Sequence, residues 1–270
     1  APYDMAGWTL PIQMGVTVDR LHQDANIQST PVSEITPFAA EHNLSESSGY
    51  VISARSNRAF SEVLNLLQNG AEVHRFEKAI TVDGEKLEPG AFYVAGNTNV
   101  HTRLQKAGDT FGLPVYGVNR MPDVQNYQLE SPNIGMYQSW TAPMDEGWTR
   151  WIFDHYGIDY TTLRDEDIRT GELENFDLII LPSMPANRIL NGNAPGTMPK
   201  QYVGGLGVEG AYHLKKYVES GGSVLGWEGA ADFLITQFGL PVNNALGKLD
   251  QSEFFIPGSL VSLSSNPNNS

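Results

Sequence analysis

Ser223–Phe238 reads SVLGWEGAADFLITQF: a short apolar strand, a tight turn at Glu228 and Gly229, then a helix that packs Ala230, Phe233, Leu234 and Phe238. A residue on such a turn stands at the carboxyl end of a parallel strand, where α/β proteins place ligands and nucleophiles. Many hydrolases put Ser or Cys there, and this chain puts Glu228. The turn therefore predicts the α/β class and raises the question of what a carboxylate does at that point.

Upstream the same grammar repeats. Gly49–Ala54 predicts a strand, Asn57–Asn69 a helix with Phe60, Val63, Leu64 and Leu67 on one face, and Gly70 its stop. Ala71–Phe76 predicts the next strand, Asp83-Gly84 a hairpin turn with a strand beyond it, Val100–Ala107 a helix, and Leu113–Val118 a strand. After a polar connector over 119–133, Ile134–Trp140 predicts a strand. A helix from Asp145 to Tyr156 follows, expected to bury Trp148, Trp151, Ile152 and Tyr156, with Asp145 and Glu146 in its acidic first turn. Further strands are expected at 158–163 and Phe176–Ser183, then a long Pro/Gly loop, a helix over Val208–Glu219 and the opening stretch. Strands alternating with helices predict a doubly wound, flavodoxin-like α/β architecture with mostly parallel sheets in two lobes. The expected division is an extended segment over 1–48, a small α/β lobe over 49–128 and a second lobe over 129–270. The closing EFFIPGSLVSL (253–263) reads as a strand or hairpin cut short, and the abrupt start at Ala1 as the edge of a fragment.

Composition narrows the chemistry. Thirty-one acids against 17 bases give a net charge of −14 with no basic stripe, which argues against nucleic acid and anionic membrane surfaces as partners. No apolar run is long enough to insert into a membrane. The absence of cysteine excludes disulfides, thiolate metal sites and a Cys nucleophile together.

Three motifs carry chemistry in principle. His74-Arg75-Phe76-Glu77 is an HxxE of the kind that supplies two zinc ligands, but its strand context favours a surface reading, and no further His forms a tight cluster with it. Gly205–Gly210 is a formal GxGxxG opening a helix, but PKQYVG ahead of it is no apolar strand, so a loop entering a helix is expected rather than a nucleotide site. The third is the ligand crevice expected at the sheet's carboxyl edge, formed by Glu228 and Trp227 on the turn with Asp145, Glu146 and Arg150 at the helix start. Neither GxSxG nor a P-loop is present.

Four blocks add a resemblance: Pro2–Val16, Ile134–Arg169, Leu190–Leu225 and Phe254–Val261. MDEGWTRW (Met144–Trp151) and APGTMP with YVGGLG (194–199 and 202–207) are the most specific. They resemble the region that follows the catalytic domain in large secreted bacterial zinc carboxypeptidases, a region described as similar to class I glutamine amidotransferases. The resemblance implies that the zinc site lies in a domain upstream of Ala1, so that this chain holds no metal ligand and no cofactor. It implies a periplasmic or extracellular location, with the chain's own upstream peptidase domain as partner and a homo-oligomer as a further arrangement. It also aligns Val224–Leu234 with the nucleophile turn, placing Glu228 where the amidotransferase Cys would stand. A carboxylate does not form the thioester of that chemistry, so the expectation is an active-site scaffold without its nucleophile. The alternatives are a hydrolase using Glu228 as acid or base, and a stand-alone module binding a glycan or small molecule.

Overall fold

The computed structural model describes residues 17–23, 27–33, 44–250 and 252–255. Most of the expected extended segment and the closing strand over 256–263 lie outside the described residues. The chain divides into two compact units, one formed by Ala1–Glu34 with Asn243–Ser270, the other by Ile35–Val242. The described residues of the first hold no helix or strand. Every element named below belongs to the second.

Its first half runs β1 (Gly49–Ile52), α1 (Asn57–Gln68), β2 (Val73–Phe76), a β3–β4 hairpin (Ile80–Val82 and Glu85–Leu87), β5 (Phe92–Ala95), α2 (Thr98–Phe111), β6 (Val115–Val118) and β7 (Asn126–Leu129). All of these except β7 match the sequence reading, but their pairing corrects it. The sheet order is β6-β1-β5-β2-β7 and every neighbouring pair is antiparallel. Each strand–helix–strand unit skips one position: β5 enters between β1 and β2, and β1 between β5 and β6. That is the split β-α-β arrangement of ferredoxin-like sheets, not a parallel one. Side chains alternate accordingly. Tyr50, Ile52, Val73, Phe92 and Val94 pack under α1 and α2; Val51, Phe76 and Tyr93 face the hairpin's Ile80, Val82 and Leu87. Asp83 and Gly84 both take positive φ (50° and 83°) in the expected hairpin turn.

Two smaller corrections follow from burial. α1, capped by Ser56 Oγ accepting from Ala59 N at 3.3 Å, buries Val63 and Leu67 of the expected stripe together with Ala59 and Leu66, leaves Leu64 half-buried, and exposes Phe60 against the edge of Phe92. β7 lies inside the stretch read as a connector. It is an edge strand with no fully buried side chain, so it carries no hydrophobic alternation to announce it.

The second half runs β8 (Ile134–Tyr137), α3 (Met144–Tyr156), β9 (Thr161–Leu163), α4 (Asp165–Thr170), β10 (Leu178–Leu181), α5 (Ala186–Asn191), α6 (Gly207–Glu219), β11 (Ser223–Gly226) and α7 (Gly229–Phe238). The short helix α5 occupies the stretch read as a Pro/Gly loop, and α4 one to which the sequence reading assigns no element. Here the parallel reading holds: the order is β11-β10-β8-β9 and all three pairings are parallel. The chain steps from β8 to β9 in one direction, then back past β8 to β10 and β11. Right-handed connections therefore put α3 and α4 on opposite faces. Ile168, Ile189, Leu214 and Phe233 from α4–α7 fill one face against Tyr137, Ile179 and Leu181.

On α3 the expected stripe is overturned. Trp148, Trp151 and Ile152 are 58%, 57% and 45% exposed, while Glu146 and Thr149 are buried. The Glu146–Arg150 pair fixes the roll of the helix. Arg150 Nε donates to Glu146 Oε1 at 2.9 Å and Nη1 to Thr162 Oγ1 at 3.0 Å; Gln138 Nε2 donates to Glu146 Oε2 at 3.3 Å. With those polar groups tied to the sheet, the Trp side faces outward, where Trp148 meets Trp151 edge-on and Trp151 stacks on His155. The C-terminal carbonyls of α3 are satisfied from α1: Ser61 Oγ donates to Tyr156 O at 2.7 Å and Asn65 Nδ2 to Gly157 O at 3.2 Å. Arg58 lies 3.8 Å from the Phe111 ring and 5.1 Å from that of Tyr156, so the two halves share a polar and aromatic junction.

Candidate functional site

In a parallel sheet every strand delivers its carboxyl end to one edge, and the crevice opens where the chain reverses its direction of travel. Here the reversal lies between β8 and β10. The loop after β8 (Gln138–Pro143), the loop after β10 (Pro182–Pro185) and the turn after β11 (Trp227–Glu228) form that edge.

The turn is strained. Glu228 has φ 51° and ψ −123°, a conformation non-glycine residues rarely adopt and which costs on the order of 1–3 kcal/mol. Small residues make it feasible. A Cβ on Gly229 would stand 2.6 Å from Met184 O, one on Gly226 would stand 2.9 Å from Leu234 Cδ1, and Ala230 is fully buried. The chain thus leaves β11, lifts one side chain clear and enters α7 within three residues. The lifted carboxylate is exposed, and its Oε2 accepts a hydrogen bond from Ser183 Oγ at 2.7 Å. Trp227 is half-buried beside it.

The other expected members do not join it. Glu146 and Arg150 are spent on each other and on the sheet beneath α3, and Asp145 is exposed at the helix start. β10 separates β8 from β11, so the two strand ends stand about 10 Å apart. No hydrogen bond or ion pair links Asp145, Glu146 or Arg150 to Glu228 among the described residues.

A cavity of about 560 Å³ occupies the reversal point itself. Its apolar wall is Trp140, Pro143, Met184, Pro185 and Met198; its polar groups come from Thr141, Arg188 and Asn193. Trp140 is clamped, with the Arg164 guanidinium 3.9 Å from its ring and Tyr202 edge-on at 4.7 Å between centroids. Its Nε1 is buried with no acceptor among the described residues. Ser139 Oγ and Thr141 Oγ1 are 2.7 Å apart, and Thr141 N donates to Ser139 Oγ at 3.0 Å, which tightens the β8 loop. Ala142 in the same wall has φ 46°. Of the three non-glycine residues at positive φ among the described residues, Ala142 and Glu228 flank this one edge. The third, Asp83, sits in the hairpin turn.

Below the cavity, Tyr137 OH donates to Asp165 Oδ1 at 2.6 Å, both side chains almost wholly buried. Burial, then the neighbouring carboxylate, pushes the Tyr137 phenol well above its usual value. Burial also raises Asp165, against the opposing effects of the Tyr137 hydrogen bond and the Arg169 charge. The sequence reading missed this pair and Arg188. Only the position of Tyr137 at a strand's carboxyl end and of Asp165 at a helix start pointed to them.

The remaining motifs resolve as packing. His74 bonds Asn126 Oδ1 at 2.9 Å and Glu72 Oε1 at 3.0 Å, not Glu77. Among the described residues no three His, Asp or Glu side chains come together as a metal would require. In the GxGxxG segment, a Cβ on Gly205 would stand 2.4 Å from Ile189 O, and Leu206 N donates to Ile189 O at 2.9 Å. The glycines let the entry to α6 pass against α5. No family model matches this chain, and no curated protein or solved structure matches it.

Proposed function

We propose that this chain is a non-catalytic, amidotransferase-like accessory region of a secreted bacterial zinc carboxypeptidase, acting on its parent enzyme through structure or ligand binding. The observation that carries this reading is the turn at Glu228: a strained, small-residue-flanked strand-to-helix corner that presents a carboxylate where a nucleophile would stand. Two further facts support it. The four sequence blocks resemble that region, and the parallel strands, counted from β8, run 2-1-3-4, as do the first four positions of flavodoxin-like sheets. In this reading zinc and its ligands belong to an upstream peptidase domain, which removes C-terminal residues from peptides or cell-wall material in the periplasm or outside the cell. The domain is the partner of this region, and assembly into a homo-oligomer is a further role open to it.

The test has two parts. The purified chain should hydrolyse neither glutamine nor C-terminally blocked or free peptides, and the parent reading frame should carry an HxxE with a distant His before Ala1. Absence of that upstream motif removes the reading.

One contact favours a second reading, a hydrolase in its own right: Ser183 Oγ held at 2.7 Å by the Glu228 carboxylate is a hydroxyl beside a base. It predicts turnover on a broad ester and glycoside panel that Glu228→Gln abolishes at unchanged Tm. Absence of turnover in the wild-type chain ends it.

A further inference from the structure

The cavity at the reversal point joins an apolar wall to an exposed arginine. The protein carries 31 acids to 17 bases, yet none of the residues lining this cavity is acidic. Arg188, on α5 directly after the β10 loop, projects from its wall, is itself exposed, and makes no ion pair or side-chain hydrogen bond among the described residues. Most other arginines nearby are engaged: Arg150 with Glu146, Arg164 over Trp140, Arg169 with Gly205 O. Arg164 adds a second positive charge against the indole, 3.9 Å from its ring. The body of the cavity is Trp140, Met184, Met198 and two prolines. Methionines adapt to the shape of an apolar guest, and a clamped indole offers it a rigid face.

We propose that this cavity binds a small organic carboxylate with an apolar, ring-sized body. The carboxylate pairs with the Arg188 fork and the body lies against Trp140, Met184 and Met198. A guanidinium matches a carboxylate through two parallel N–H···O bonds, and the cavity volume is in the range of small-molecule sites. The backbone points the same way. Ala142 is held at φ 46° in the cavity wall, and such strain gathers where loops are fixed for a ligand. Glu228 takes no part: its carboxylate lies beyond the Ser183 loop, bonded to Ser183, and does not line the cavity. The inference therefore stands independently of the accessory reading and fails independently of it.

The test is calorimetric titration of the full chain with three probes of one shape: 3-phenylpropionate, its neutral amide, and the cationic 3-phenylpropylamine. The carboxylate should bind about tenfold or more tightly than the amide, the worth of one charge-assisted pair, and the amine should not bind. Arg188→Gln, at an exposed position, should keep the wild-type Tm and bring carboxylate and amide to equal affinity. Trp140→Phe should weaken both alike. Equal binding of carboxylate and amide to the wild-type chain, an unchanged preference in Arg188→Gln, or no binding at millimolar carboxylate each overturns the proposal.

Discussion

The two sheets are built from the same local unit, a strand, a helix, a glycine stop and a strand, and they reach opposite ends. In the first, alternating strand directions send carboxyl ends to both edges, helices cover one face, and a hairpin seals the other. In the second, parallel strands collect every carboxyl end at one edge, and that edge holds the cavity, Arg188 and, among the described residues, two of the three strained non-glycine residues. Direction of pairing, rather than the helix-strand grammar, decides where chemistry can gather.

The largest effects should come from the cores, and they ask whether the halves stand separately. Phe233→Ala and Leu104→Ala each empty a fully buried site and should cost about 3–5 and 2–5 kcal/mol respectively. Four of the five tryptophans stand between Trp140 and Trp227, so fluorescence reports mainly the parallel sheet. Because α1 bonds the end of α3 through Ser61 and Asn65, Leu104→Ala should lower the fluorescence midpoint in urea as far as the far-UV CD midpoint. Separate midpoints would show two independent folding units.

Gly229→Ala presses a methyl toward Met184 O and should cost about 1–3 kcal/mol. At Gly70 an added Cβ meets nothing within 4 Å, so only the strain of its positive φ, about 1 kcal/mol, is expected. Subtler is the strain at Glu228. Glu228→Gly and Glu228→Ala both lose the Ser183 hydrogen bond, but only Ala keeps a Cβ at φ 51°. Glycine should be the more stable of the two by about 1 kcal/mol, reversing the usual order. Thermal melts of the pair decide it.

The smallest effect is a slope. Burial raises the folded pKa of Asp165 above its unfolded value, so its contribution to stability is fully present below about pH 4 and is lost as pH rises through the folded pKa. Asp165→Asn removes that loss. The Tm difference, variant minus wild type, should therefore grow more positive between pH 4 and 7. A constant difference would mean that Asp165 titrates alike in folded and unfolded chains.

Most elements were legible in the sequence because glycine stops and apolar runs are local. Gly70, Gly157 and Asp83-Gly84 end or turn the chain as their backbone freedom requires. Pairing was not legible: the strand from Gly49 reads the same whether β5 or β2 lies beside it. The Trp148/Trp151 stripe misled for a related reason, since a 3.6-residue period gives two usable faces to α3, and the Glu146–Arg150 ion pair, with Arg150 also donating to Thr162, chose between them. Of the candidate site, the turn at Glu228 was readable from Gly226 before Trp227-Glu228 and Gly229-Ala230 after it. Arg188 was not, because its significance lies in a cavity lined without acids, which depends on the folded surface.

The proposed function makes the turn after β11 a nucleophile-presenting corner that holds a carboxylate. The chain has no cysteine, so Glu228→Cys introduces a single thiol at that corner and at the N-terminus of α7. The measurement is its alkylation rate by iodoacetamide across pH 5–10. Such a corner should give a thiolate midpoint at least about one unit below the free-cysteine value near 8.5. A midpoint at or above that value would mean that the corner activates nothing and that Glu228 sits on an ordinary loop.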